Sequence, residues 1–202
     1  MSHYFTNDKV KSEEKEIKII INDQNLKMIV DNGIFSKKGL DFGTRSLLEN
    51  INIDEIKGDV LDFGCGYGPI GIYIKKVCNV NVDMVDINER ALNLAKKNAI
   101  LNNVKVNIYQ SNIYSNINKK YDFIITNPPI RVGKKILNDI LFSSLKHLKE
   151  NGSLIYVINK NQGAKTTMKD LDEIADTKII KKNKGFYIIL AKNRWLFNKK
   201  SL

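Results

Sequence analysis

Apolar residues follow two alternating rhythms along the chain. Short β-branched runs at Asp59–Phe63, Asn81–Asp86, Lys105–Gln110, Tyr121–Thr126, Ser153–Asn159, Lys178–Ile180 and Phe186–Ala191 read as strands. Between them, stretches near Pro69–Val77, Glu89–Leu101, Lys134–Lys149 and Ala164–Ala175 carry apolar residues at helical spacing. Glu89–Leu101 is the clearest: Ala91, Leu92, Ala95, Ala99 and Leu101 alternate with Lys96, Lys97 and Asn98, behind Asn88 as N-cap. Upstream, Asp41–Ile51 has a helical period, and Glu16–Ile21 and Leu26–Val30 flank the polar stretch Asn22-Asp23-Gln24-Asn25 as a β-hairpin. Strands alternating with helices predict an α/β fold, a doubly wound, seven-stranded, mostly parallel sheet covered on both faces. Only Lys181–Gly185 separates the last two runs, so the last strand should be antiparallel. The expected organisation is one domain: a charged arm (1–15), a hairpin extension (16–40), a core (41–191) and a basic tail (192–202). Ligands of such a sheet bind beyond the carboxyl ends of its strands, which puts the chemistry just after Phe63, Asp86, Gln110 and Thr126.

Composition narrows the class. A chain of 202 residues can bury a real core. It has no apolar stretch of the ~18 residues a membrane helix requires. The opening MSHYFTNDKVKSEEKE lacks the apolar centre of a signal peptide, and its acids argue against a transit peptide. Two cysteines, Cys65 and Cys78, make no disulfide scaffold, so a reducing cytoplasm is the expected location. His3 and His147 lie far apart, and no metal site is expected. The 33 basic residues outnumber the 22 acidic ones, unevenly: residues 1–101 net −1 and residues 102–202 net +12. From Thr177 onward there is no acid at all. A uniform lysine bias would not thin out acids in one half, and a one-sided positive surface attracts phosphate.

The first strand leads into Asp62-Phe63-Gly64-Cys65-Gly66-Tyr67-Gly68-Pro69-Ile70-Gly71 and then a helix. Glycines there let a ligand touch the backbone. A dinucleotide loop needs a small residue at the third glycine offset, where this chain has Pro69. A carboxylate at Asp62 would repel a pyrophosphate but favours an ammonium. S-adenosylmethionine, with an amino-acid end and no phosphate, suits the loop better. Asp86, about twenty residues on at the tip of the second strand, can accept from ribose hydroxyls. Strand four ends in Asn127-Pro128-Pro129-Ile130, a stiff turn that can present the Asn127 side-chain oxygen and the Pro128 carbonyl to a planar NH₂ group. Two fixed acceptors favour pyramidalisation of a poorly nucleophilic nitrogen, so no histidine base is required.

Asp62-x-Gly64-x-Gly66-x-Gly68, Asp86 and Asn127-Pro128-Pro129 together resemble class I S-adenosylmethionine-dependent methyltransferases of the amino-methylating group, with a Rossmann-like fold. Asp31-Asn32-Gly33-Ile34-Phe35-Ser36-Lys37-Lys38-Gly39-Leu40-Asp41-Phe42-Gly43-Thr44 is similar to a stretch of the "methyltransferase small domain" family, specifically the catalytic half of bacterial small-subunit ribosomal RNA guanine-N2 methyltransferases. The resemblance spans about residues 16–191. It implies cofactor contacts from Asp62, Phe63, Gly64, Cys65, Gly66 and Gly68, from Asp86 and Ile87, from Asn112 and Ile113, and from Asn127. The catalytic turn would be Asn127, Pro128, Pro129 and Ile130, with Phe35 and Asp41–Thr44 lining the pocket. Lys37, Lys38, Arg131, Lys134 and Lys135 flank it as candidate phosphate contacts. The chain departs from the family pattern in three ways. It has no room for the degenerate second domain of long members, Ile130 stands where many relatives have a stacking aromatic, and Ser111-Asn112 stands where an acid often receives the adenine amine. The implied partner is ribosomal RNA or the small ribosomal subunit, not a membrane. Competing readings are methylation of a protein glutamine, a catalytically silent RNA-binding module and, against Pro69, a dehydrogenase.

Overall fold

The computed structural model describes residues 11–32, 39–129 and 133–194. A hairpin of β1 (Lys15–Ile21) and β2 (Gln24–Val30) precedes α1 (Phe42–Asn50). The chain continues through β3 (Asp59–Phe63), α2 (Pro69–Val77), β4 (Asn81–Asp86), α3 (Glu89–Leu101), β5 (Asn107–Gln110), β6 (Tyr121–Thr126) and α4 (Lys134–Lys146). It ends with β7 (Leu148–Asn159), α5 (Ala164–Leu171), β8 (Ala175–Asn183) and β9 (Phe186–Asn193). Seven strands make one sheet in the order β5-β4-β3-β6-β7-β9-β8. All pairs are parallel except β7–β9 and β8–β9, as the sequence pattern predicts. Buried apolar side chains form one core with α1, α2, α3 and the hairpin, and a second with α4 and α5.

Several boundaries differ from expectation; β5, for one, starts at Asn107 rather than Lys105. The helix expected to reach Lys149 stops at Lys146, and Leu148 already pairs with Tyr121 as strand. Leu148 suits a helical period, but Gly152 lets the backbone come so close that a Cβ there would sit 2.7 Å from the Tyr121 carbonyl oxygen. The helix expected to reach Ala175 ends at Leu171, and β8 runs from Ala175 rather than Lys178. The hairpin turn is only Asn22-Asp23, both at positive φ (43° and 65°), the tight form whose twist matches the strands.

A two-stranded hairpin is marginal alone, and α3 holds this one. Asn98 Oδ1 accepts from the Ile29 amide (2.6 Å), while its Nδ2 donates to the Ile29 (3.0 Å) and Tyr67 (2.8 Å) carbonyls. One turn on, Asn102 makes the same pair of bonds to Lys27 (3.1 and 2.7 Å). Two carboxamides thus bond alternate residues of β2 as a neighbouring strand would. Asn98 therefore does not belong to the polar face of α3, where the sequence pattern puts it, but is fully buried. Past β2, the buried Asp31 carboxylate receives Arg90 (2.6 and 2.9 Å), Ser12 and the Glu13 amide. Burial alone would raise its pKa, but these donors outweigh it and hold the group below the usual carboxylate range.

Asn98→Ala should lower unfolding stability by about 2–4 kcal/mol, since it strands one buried and two partly buried backbone groups. Denaturant titration beside the exposed Lys96→Ala control, expected near zero, measures this.

Candidate active site

Strand order reverses between β3 and β6, which are parallel neighbours with Asp62 opposite Ile125. Just past this register the Thr126 hydroxyl donates to the Phe63 carbonyl (2.8 Å). The glycine loop after β3 and the Asn-Pro-Pro turn after β6 therefore leave the sheet side by side, at the crevice where such sheets bind ligands.

The loop is pinned to β4. The Cys65 amide donates to the Val85 carbonyl (2.9 Å) and the Gly66 amide to Asp86 Oδ2 (2.9 Å). Gly66 has φ +56°, and a Cβ built there or on Gly64 meets no atom within 4 Å, so the loop surface is open. Gly68 does another job: it precedes α2, and a Cβ would lie 2.8 Å from Met84 Cε. Beneath the loop, Asp62 is fully buried; its Oδ2 accepts from the Gly71 amide (2.8 Å) and its Oδ1 has no partner among the described residues. Burial, with the Asp86 charge adding to it against the Gly71 amide, pushes Asp62 up to about 7. Asp86 is also raised, by burial against the pull of the Asn88, Gly66 and Ile87 amides. Two neighbouring carboxylates with no ion-pair partner among the described residues, under an open backbone, fit a ligand that brings an ammonium and hydroxyl donors. They do not fit a pyrophosphate.

After β5 the Ser111 amide donates to the Asp86 carbonyl, and the Ser111 hydroxyl to the Ile113 carbonyl (2.9 Å). Ile113 adopts φ +52°, a conformation costing a β-branched residue about 1–3 kcal/mol. Asn112 is exposed beside it. The Ile87 carbonyl accepts from Gln110 Nε2 (2.9 Å). Two expected contacts turn elsewhere. The Phe63 ring lies in the second core, stacked on Tyr114 (4.6 Å), which itself stacks on His147 (4.4 Å). Cys65 is buried, and burial drives its thiol well up, so it is no nucleophile.

On the β6 side, Pro128 is buried and Pro129 half-buried. Asn127 Nδ2 donates to Asp41 Oδ1 (3.0 Å) and Thr44 Oγ1 (2.9 Å), at the start of α1. An ionised carboxylate can only accept, which settles the amide orientation: NH₂ toward α1, Oδ1 unbonded among the described residues. The family resemblance implies that Asp41–Thr44 line the pocket, but the pairing of Asp41 with Asn127 across 86 positions has no sequence signal. Tyr67 escapes sequence reasoning too. Its hydroxyl is buried without a partner among the described residues, and burial first, then the Asp41 charge, raises its pKa. An aromatic between two glycines was the available signal.

Among expected substrate contacts, Lys134 and Lys135 open α4 and are exposed, with Lys134 Nζ 3.3 Å from Asp170. Phe35, Lys37, Lys38, Ile130 and Arg131 lie outside the described residues. A recess of about 840 Å³ lined by Ile51, Ile56, Phe123, Ile155 and Leu190 opens near the other end of the strands, away from these groups. Among the described residues no group of three or more His, Cys, Asp or Glu is placed to hold a metal. No described helix is long and apolar enough to cross a membrane.

An open sheet in this order, with a glycine loop and a strand-tip acid at its reversal, defines a class I S-adenosylmethionine-dependent methyltransferase. The model of the methyltransferase small domain family matches residues 25–190, and the chain belongs to that family. It is 41% identical over 199 residues to the Bacillus subtilis uncharacterized protein YbxB, covering 95% of this chain and 99% of that one. It is 39% identical over 145 residues to ribosomal RNA small subunit methyltransferase C of Psychromonas ingrahamii, covering 69% of this chain but 41% of that one. The Colwellia psychrerythraea enzyme of the same name gives 35% over 164 residues, 79% of this chain and 45% of that one. The chain thus spans less than half the length of these ribosomal RNA methyltransferases. In fold it superposes on the T. thermophilus 16S rRNA N2 G1207 methyltransferase, solved with AdoMet and guanosine, at TM-score 0.81 and 19% identity. That match covers 93% of this chain and 52% of that one. A ribosomal protein L11 methylase from Lactobacillus delbrueckii matches at TM-score 0.64 and 25% identity, over 75% of this chain and 78% of that one.

Because a cation favours the ionised form of Asp62, S-adenosylmethionine should bind with proton release below about pH 7. Affinity should fall by up to about tenfold per pH unit as pH drops below 7, and level off above it. Calorimetry in buffers of different ionisation enthalpy reads the released proton, which Asp62→Asn should abolish.

Proposed function

We propose that the protein transfers the methyl group of S-adenosylmethionine to the exocyclic N2 amine of a guanine in small-subunit ribosomal RNA, in the cytoplasm. The observation that carries this reading is the Asn127 carboxamide, whose NH₂ is held by Asp41 and Thr44 and whose oxygen is unbonded among the described residues, on a turn that leaves the sheet next to the glycine loop. Asp62 and the loop backbone would hold the cofactor's amino-acid end, Asp86 its ribose, and Asn112 with Ile113 the adenine side. When bound, the cofactor supplies a methyl group on a sulfonium sulfur. Asn127 Oδ1 and the Pro128 carbonyl accept the two N–H bonds of the guanine amine, drawing its lone pair out of conjugation and aiming it across the crevice. Fixed dipoles then stabilise the positive charge that grows on nitrogen, whose proton becomes acidic only as the bond forms.

The basic half supports RNA over protein. The β8–β9 tip packs on α1: Asn183 Nδ2 donates to Ser46 Oγ (3.1 Å), and the Phe186 and Phe42 rings lie 5.5 Å apart. Lys184 Nζ sits 5.6 Å over the Phe42 ring and Lys182 Nζ 5.1 Å over Tyr187. The Lys160 amide donates to the Gly185 carbonyl (2.7 Å). Lys160, Lys182 and Lys184 are exposed and unpaired with any acid among the described residues, and they crowd near the helix that carries Asp41. This cluster of cations with aromatic rings suits a single-stranded RNA backbone. It is a better candidate than Lys134, which Asp170 already neutralises. The second reading is methylation of a protein amide, since a glutamine NH₂ presents the same two hydrogens.

The test is labelled S-adenosylmethionine with ribosomal RNA, small subunits and total cellular protein. Label in N2-methylguanosine is expected; label confined to polypeptide overturns the RNA reading. Asn127→Ala should lower kcat by about 10²–10³ while cofactor affinity stays within about twofold. Charge reversal at Lys182 and Lys184 should weaken RNA binding and reduce its salt slope by about 2.

A further inference from the structure

We infer that Asp41 and Thr44 are positioning residues that lock Asn127 in the one amide orientation able to accept from the target amine; this deepens, and rests on, the proposed role of Asn127. A primary carboxamide has two orientations of nearly equal shape, and a flip exchanges its NH₂ and its oxygen. With the oxygen toward the crevice it accepts from an amine. Flipped, it offers two more donors to a group that is itself a donor. Nothing in the Asn-Pro-Pro turn chooses between the two, because prolines fix the backbone and not the side-chain amide. The choice is made at the start of α1, by the Asp41 carboxylate; the Thr44 hydroxyl, which can donate or accept, steadies the amide so chosen.

Asp41 Oδ1 lies 3.0 Å from Asn127 Nδ2 and also accepts from the Thr44 amide (3.0 Å) as the helix N-cap. Thr44 Oγ1 lies 2.9 Å from the same Nδ2, and Thr44 is buried. A flip would press the Asn127 oxygen against a carboxylate oxygen with no proton between them. The charged acceptor also polarises the amide it holds, making the far oxygen a stronger acceptor as positive charge develops on the amine. Space around this bond is restricted. A Cβ on Gly43 would sit 3.0 Å from Phe186 Cε1 and 3.1 Å from Asp41 Oδ1, so the β8–β9 tip closes over the start of α1. The lock thus belongs to the folded core and is set before any substrate arrives.

Three variants separate a lock from a clip that merely holds α1 to the turn. Thr44→Val keeps shape and removes the hydroxyl, whereas Thr44→Ser keeps it. Asp41→Asn can keep its oxygen as the N-cap but removes the negative charge that opposes a flipped Asn127, so the orientation is held less firmly. With saturating cofactor and small-subunit RNA, Thr44→Val and Asp41→Asn should lower kcat by about 10–100-fold, with the RNA KM and cofactor Kd within about twofold. Thr44→Ser should recover to within about threefold of the parent. Unchanged kcat in both altered proteins overturns the inference. So does weakened cofactor binding with normal kcat at saturation, because these residues would then be holding the cofactor. One readout needs no substrate: in the ligand-free protein the Asn127 side-chain amide protons should exchange slowly with solvent, and faster in Thr44→Val. Free exchange in the parent removes the lock even if RNA is methylated. Slow exchange with no label in RNA leaves the lock standing and removes the guanine reading.

Discussion

Everything at the candidate site depends on the reversal of strand order between β3 and β6. Strands laid down outward from β3 must be followed by one that returns to its other side, and a gap between loops opens where the windings diverge. Each motif on its own has an ordinary structural explanation. A glycine loop is a tight strand-to-helix turn, and two prolines are a strand terminator. The single bond from Thr126 to the Phe63 carbonyl marks how close the two are brought. Chemistry becomes possible because topology sets an open, acid-floored loop against a side-chain amide.

The local groups at this edge are held against their own preferences. Among the described residues, Asp62 is buried with an unused acceptor, Tyr67 has a buried hydroxyl without a partner, and Ile113 adopts a left-handed backbone. Each lowers stability, and such concentrations mark places where a ligand completes the structure. At the amino ends of the strands the polar groups are satisfied. Lys149 lies 2.7 Å from both Asp59 and Asp122, whose carboxylate also receives the Asp59 amide. One end of the sheet is finished by ion pairs, and the other leaves acceptors and donors open. The hairpin braces the open end, since Asn98 joins β2 and the Tyr67 carbonyl of the glycine loop through one side chain.

How much of this was legible in the sequence follows from the range of the forces involved. Strand and helix identity is set by apolar periodicity within a few residues, so the seven-stranded sheet, its antiparallel end and the places where the two loops leave it were all readable. Boundaries failed where a long-range contact overrode the local period. Leu148 continues a helical stripe, yet pairs with Tyr121 because Gly152 admits the neighbouring backbone. Asn98 reads as solvent-facing beside Lys97, and only the arrival of β2 gives its amide two buried partners. The bond from Asp41 to Asn127 joins an ordinary capping residue to an ordinary turn residue, and either alone is explained without the other.

That hidden bond changes how the site should be understood. Motif reading treats the Asn-Pro-Pro turn as self-sufficient, with acceptors aimed by stiff prolines. Stiffness places the Cα of Asn127 but leaves its amide free to choose which end meets a ligand. The choice falls to a carboxylate, steadied by a hydroxyl, at the start of a helix that no glycine or proline motif announces. The same helix start carries Phe42 and is packed by Phe186, on the hairpin that displays Lys182 and Lys184. The geometry of the acceptor and the placement of the basic surface thus share one piece of scaffold. A phosphate chain drawn to those lysines would lie against the helix that decides how an amine is met, so recognition of the chain and orientation of the acceptor would not be independent.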